Sequence, residues 1–295
     1  NATLPDYARI AHWVIATEPF TAASGLATAN GRPQRAAVLA HGRALRAMRS
    51  SSASSLCSPL ESEAPAMTFF DRLQADTAAD RAALIAAPII QGALRGQVSV
   101  PSYLAFLHEA YHHVRHTVPL LAACRDRLPA RLDWLRPALD EYIAEEAGHD
   151  QWILDDIGAA GGDPQAVQAA GPGAATEVMV AYAYDTIARG NPLGFFGMVH
   201  VLEGTSVALA LAAADRIQQG LALPDAAFSY LRSHGTLDRE HTAHFAQLMN
   251  QIDDPADQAA IVHAARLFYR LYGDVFRSLP LPTAGDATPP LREAA

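Results

Sequence analysis

Lysine is missing altogether: all 22 basic residues are arginine. That removes Schiff-base chemistry, a pyridoxal-phosphate lysine and the lysine of a phosphate-binding P-loop. Only two cysteines occur, Cys57 and Cys124, too far apart in sequence for a disulfide scaffold or a cysteine-based zinc site. β-Branched residues are sparse beside alanine, and no stretch alternates for long with period two, so the chain reads as all-helical. The formal net charge is −9 and no basic cluster occurs, which argues against a nucleic-acid partner. No apolar run reaches the roughly 20 residues of a membrane span, and no secretory leader is visible. These absences lead to the expectation of a cytoplasmic protein.

What is present is apolar: half of the 295 residues are hydrophobic and 18% are charged, enough for a sizeable core in about one to two domains. The first residue is Asn, so the chain reads as a processed or excised piece. Residues 1–48 form one unit, an N-terminal extension. Residues 49–66, with a serine run and prolines at 59 and 65, read as a linker. From Thr68 the periodicity is helical, with helices expected near 68–94, 101–124, 129–160, 174–189, 192–219, 224–250 and 255–277. Pro101 after Ser99 and Val100 suits a first turn. The helical domain spans 67–280, and 281–295 read as a flexible tail. Seven helices of this length make a bundle.

Nine of the twelve histidines fall between 108 and 244. Glu109, His112, His113 and His116 share one helical face by spacing. Glu146 and His149 form Glu-x-x-His, one turn offering an oxygen and a nitrogen to one metal. Glu203 stands inside an apolar run, where a carboxylate is costly unless paired or metal-bound. His234, Asp238 and His241 are four and three residues apart, again on one face. Four helices thus carry inward-capable carboxylate or histidine sets, a ligand set for two iron or manganese ions.

The order Glu109, Glu146-x-x-His149, Glu203, His234-x-x-x-Asp238-x-x-His241 resembles the heme-oxygenase-like diiron oxidases and oxygenases, over roughly residues 68–278. The resemblance implies a heme-oxygenase-like seven-helix bundle. It implies two iron ions, with manganese as the alternative, held by Glu146, His149, Glu203, His234, Asp238 and His241, with Glu109 as a bridging or extra carboxylate. O₂ and a small organic substrate (an amino acid, amine or fatty-acid-like molecule) are the implied partners. A homodimer is left open. Gly235 and Thr236 are weak helix formers, so 232–242 is expected to be the least ordered part of the core without metal.

Three other readings stay open. A heme-binding or heme-degrading protein of the same fold needs one axial histidine. A TenA-like hydrolase needs a cysteine nucleophile, but neither Cys57 nor Cys124 has an evident base beside it. A ferritin-like metal protein would carry a second Glu-x-x-His. Separately, Glu18-Pro19-Phe20-Thr21, Gly25-Leu26-Ala27-Thr28 and Arg35 resemble the C-terminal end of long-chain acyl-CoA synthetases, over residues 10–48. That family places its active-site lysine where Arg32 stands. Most of that enzyme is missing from this chain, so the resemblance implies no ligase activity, only a fused or partner acyl-activating domain.

Overall fold

The computed structural model describes residues 67–283, apart from the side chains of 236–241. The extension, the linker, the acyl-CoA-synthetase resemblance and the tail beyond 283 lie outside the described residues. Every regular element among the described residues is helical. In chain order the α-helices are α1 (Phe69–Asp76), α2 (Ala78–Ile85), α3 (Pro88–Ala93), α4 (Val100–Val114), α5 (Thr117–Arg127), α6 (Arg136–Glu146), α7 (His149–Ala159), α8 (Pro164–Ala169), α9 (Ala174–Arg189), α10 (Phe195–Leu221), α11 (Ser229–Asn250) and α12 (Pro255–Ser278), with 3-10 turns at Ala130–Leu135, Pro192–Gly194 and Asp225–Ala227.

Several expected helices are subdivided, each for a local reason. The 68–94 helix is α1, α2 and α3. Thr77 ends α1, its hydroxyl donating to the Leu73 carbonyl at 2.7 Å, and Pro88, which has no N–H to give, restarts the chain as α3. The 101–124 helix breaks at Arg115 and His116 into α4 and α5. The expected start before Pro101 is present: Ser99 Oγ accepts from the Ser102 N–H at 3.2 Å. The 129–160 helix divides between Glu146 and His149, a break treated below.

Two packed clusters fill the bundle. The larger runs from α1 through α5, α6, α9 and α10 to α12. The smaller joins α4, α7, the second half of α10 and the start of α11. Two glycines let α10 approach its neighbours closely. A Cβ on Gly197 would stand 2.6 Å from the Ala265 amide nitrogen, and one on Gly235 would stand 2.6 Å from Leu211 Cγ. Gly235 thus has a packing reason to be there, separate from its weak helix propensity, and α11 runs through it unbroken from Ser229 to Asn250.

The stretch Pro192–Leu221 is long and apolar enough, by length and composition, to cross a membrane, which corrects the expectation that no segment reaches that length. Half of its most apolar window is buried inside the bundle.

A buried carboxylate fixes the start of α12. Asp257, in the first turn of α12, is 1% exposed. It accepts from Arg131 Nη1 at 2.5 Å, Arg131 Nη2 at 3.0 Å and Asn191 Nδ2 at 2.7 Å. A guanidinium fork of this kind is the strong form of a charge-assisted hydrogen bond.

Candidate metal centre

Glu146 is the last residue of α6 and His149 the first of α7. Between them Ala147 is extended and Gly148 takes φ +89°, ψ 1°, a left-handed conformation that other residues adopt at a cost. The Glu-x-x-His pair therefore does not sit on one helical turn; it straddles a break. The two side chains still meet, with His149 Nδ1 3.1 Å from Glu146 Oε2. Trp152, one turn along α7, stacks on the His149 ring at 4.0 Å between centroids.

His234 comes to this pair from α11. Its ring centroid lies 4.8 Å from that of His149. One ligand atom from each of Glu146, His149 and His234 lies within 4.8 Å of the other two. His234 Nδ1 is 3.1 Å from the Tyr230 carbonyl oxygen. A carbonyl only accepts, so Nδ1 carries the proton and Nε2 keeps the lone pair that a metal would take.

The meeting of α7 and α11 has an identifiable cause. Asp156 is fully buried and lies two turns from His149 on the same face of α7. Its carboxylate accepts from the Ser229 N–H at 3.0 Å, the Tyr230 N–H at 2.9 Å and the Ser229 hydroxyl. It thereby satisfies donors that the start of α11 leaves without a helical partner. Tyr230 is one turn before His234. Asp156 thus sets the register in which the two histidines face each other. Burial pushes its carboxyl upward from the ordinary range, and the three donors oppose that shift.

Glu146, Glu203, His113 and His234 line one cavity of about 170 Å³, whose walls are otherwise largely apolar. His113 is fully enclosed, and its Nδ1 has no hydrogen-bond partner. Burial, then the neighbouring His234 and His116, lowers its pKa to about 3, so it is a neutral imidazole. The Tyr272 ring meets it edge-on at 5.7 Å.

The first sequence cluster does not converge as its spacing suggested. Both Glu109 carboxylate oxygens accept from the Gly173 N–H at 3.1 Å, ahead of α9. Glu109 lines a separate surface recess with His108 and Asp163, so the expectation that it joins the metal site is corrected. His112 packs against His108, and His116 Nδ1 lies 3.0 Å from the Tyr184 hydroxyl. Of that cluster only His113 reaches the cavity. The structure brings together Glu146, His149 and His234 and places Glu203 on the same cavity wall; the side chains of Asp238 and His241 lie outside the described residues. Sequence reasoning missed Asp156 and passed over His113. A carboxylate seven residues from a candidate ligand was a signal for the first.

Cys124 does not fit a nucleophile. It is buried away from the cavity lining, its thiol donates to the Pro192 carbonyl at 3.3 Å, and burial pushes it up to about 12.

The donor set passes a chemical test for a resident divalent ion. Three described side chains supply one carboxylate oxygen and two imidazole nitrogens at converging distances, a combination suited to iron or manganese. Among solved structures, the chain is similar to a heme-oxygenase-like domain of unknown function from Shewanella denitrificans, at 22% identity and TM-score 0.64, covering 72% of this chain and 91% of that one. A TenA homologue from Pseudomonas syringae matches at 14% identity and TM-score 0.62, over 76% and 97% of the two chains. Heme oxygenase-1 from the cyanobacterium Synechocystis, solved with heme, matches at 15% identity and TM-score 0.56, over 71% and 90%. At these identities the likeness establishes the all-α, heme-oxygenase-like fold. No curated protein matches the chain. The sequence profile of a family described as iron-containing redox enzyme matches residues 104–273, more than half of the chain and every residue assembled above; the protein belongs to that family.

Proposed function

We propose that this protein is a non-heme diiron oxidase or oxygenase that uses O₂ to oxidise a small organic substrate. The observation that carries this reading is the convergence of Glu146, His149 and His234 within 4.8 Å, on a cavity that Glu203 also lines. Asp238 and His241 follow His234 at helical spacing and are the proposed remaining ligands. Bound iron would supply the one-electron steps by which O₂ attacks an otherwise unreactive bond. The residues of the chain do the rest. Glu146 and Glu203 offset the charge of the ions, the Tyr230 carbonyl holds His234 in its ligating tautomer, and the apolar walls keep water from the reacting end.

Anaerobic Fe(II) titration tests the proposal, with two ions bound per chain as the expected stoichiometry. His234→Ala and Glu146→Ala should each abolish uptake of at least one ion, and O₂ exposure of the loaded protein should consume O₂. No uptake, or uptake unchanged in both variants, would overturn it. Repeating the titration with Mn(II) decides between the two metals.

A second reading rests on His113. A neutral imidazole with an unpartnered nitrogen on the wall of an apolar cavity also suits an axial heme ligand. Hemin titration followed by absorption separates the two. A stoichiometric Soret band that His113→Ala removes favours heme, and its absence favours the non-heme centre.

A further inference from the structure

Trp152 follows His149 by three residues on α7, so the two share a helical face. The indole lies over the His149 imidazole with the ring planes 23° apart and the centroids 4.0 Å apart. It also meets the His234 ring edge-on, at 6.0 Å and 78°. One indole thus packs on both histidines of the candidate centre.

Its surroundings are not those of a core side chain. Trp152 belongs to neither packed cluster of the bundle, and it does not line the cavity. It is half-buried, next to the exposed Gln151, whereas His149 is enclosed. The ring therefore spans from a buried ligand to solvent, on the side of His149 away from any substrate in the cavity. Tyr230 makes the contrast. Its ring packs on His234 at 4.6 Å, but it is buried and lines the cavity.

The indole is one of the more readily oxidised side chains, and stacking brings its π system against that of the imidazole, which gives an electron a short path to cross. Four electrons take O₂ to water, and a diferrous centre holds two of them. The other two come from the organic substrate. With the cavity empty they must come from the protein, and oxidation of a ligating histidine would destroy the site.

We infer that Trp152 is an electron relay that protects the centre when O₂ is activated without substrate. It passes the two missing electrons, one at a time, through His149, and a small soluble thiol refills it at the surface. Each electron leaves the indole π system as the Nε1 proton goes to water. A thiol then returns a hydrogen atom, and two sulfur radicals join as a disulfide. The sum is O₂, two Fe(II), two thiols and two protons giving two Fe(III), one disulfide and two waters. The inference rests on the iron reading above, which supplies the oxidant.

The test uses the full chain, loaded anaerobically with Fe(II) and then given O₂ for a single turnover. Catalase is present and organic substrate is absent. Oxidised residues are mapped by peptide mass spectrometry, and disulfide is measured against the metal-free chain, with and without glutathione. Without glutathione, Trp152 should gain oxygen atoms while Trp134, at 38% exposure the more accessible of the two, stays intact. With glutathione, Trp152 should be spared and one disulfide should form for each O₂ consumed. Trp152→Phe keeps a ring on His149 but removes the oxidisable indole, so the disulfide should be lost while Fe(II) is still taken up. Trp152→Tyr, oxidisable again, should restore it, which a residue that merely held His149 in place would not require. Equal oxidation of Trp134 and Trp152, or an undiminished disulfide yield in Trp152→Phe, would overturn the relay and leave the iron reading standing. Absence of Fe(II) uptake by the unaltered chain would overturn the iron reading and the relay with it. If Trp152→Phe does not fold, the comparison of Trp152 with Trp134 in the unaltered chain decides alone.

Discussion

Asp257 and Asp156 are both enclosed carboxylates that tie the start of a long helix to the bundle, yet they are satisfied in opposite ways. Asp257 meets a guanidinium, and the Arg131 hydrogen bonds hold its carboxyl below the usual carboxylate range. Asp156 meets one hydroxyl and two backbone N–H groups, with no cation among its hydrogen-bond partners, and burial moves its carboxyl the other way. The first lies in the first turn of α12, outside the cavity lining; the second lies two turns from His149. A cationic side chain beside the candidate centre would repel a divalent ion, whereas backbone dipoles grip the helix without adding positive charge. The chain thus uses an ion pair where nothing else needs the field and neutral donors where a metal would bind.

Removing the two carboxylates should expose this difference. Asp156→Ala leaves three buried donors unanswered and should cost about 4 kcal/mol. Chemical denaturation measures the loss, and a Mn(II) titration should show affinity falling by tenfold or more as His149 and His234 lose register. Asp156→Asn keeps one acceptor oxygen and should recover much of both. If Asp257→Ala instead proves the more damaging to metal affinity, the division of labour between the two carboxylates is wrong.

Acid should weaken the bundle at a third buried group, His200. This residue sits between Phe70, Phe245 and Tyr269, with Thr77 Oγ1 3.4 Å from its Nε2. Burial lowers its pKa to about 4. The folded value lies below the unfolded one, so stability is complete above about pH 6.5 and is lost as the pH falls from there to about 4, by about 3 kcal/mol. Denaturation midpoints across that window test this, and His200→Phe should flatten the slope. Metal affinity should also fall toward acid, because ligating histidines must be neutral.

Asp257→Ala should cost less, about 2 kcal/mol, because Arg131 is half-exposed and can turn to water or to Asp254, 3.9 Å away. High salt should erode this contribution and leave the Asp156 contribution intact, which paired denaturation curves at low and high ionic strength will show. The smallest effect belongs to Gly148→Ala, about 1 kcal/mol from the left-handed backbone alone. Nothing crowds the position, with no atom within 4 Å of a Cβ built there. Gly148→Asn, which tolerates that conformation better, should therefore lose less stability and less Mn(II) affinity.

The start of α4 was legible because capping chemistry is local: Ser99 before Pro101 caps as its sequence suggests. The convergence of Glu146, His149 and His234 was legible because ionisable residues recurring on apolar helices point to one interior. Glu109 was misplaced because periodicity tells which face a residue occupies and not which neighbour stands opposite; here that neighbour is the Gly173 N–H. Asp156 was overlooked for the same reason, since its partners lie more than seventy residues away. The break at Gly148 was hidden because alanine and glycine between two helical stretches leave the apolar period intact.

That break alters what the Glu-x-x-His spacing means. On one continuous turn the bite of two donors is fixed by the rigid rod that carries both. Across Ala147 and Gly148 the donors belong to two rods joined by a swivel, and the bite can widen or narrow without either rod surrendering a hydrogen bond of its ladder. Such a joint gives the pair compliance. In the proposed centre the same two side chains would follow an ion as its radius and preferred geometry changed between oxidation states, while Asp156 keeps the second rod seated on α11.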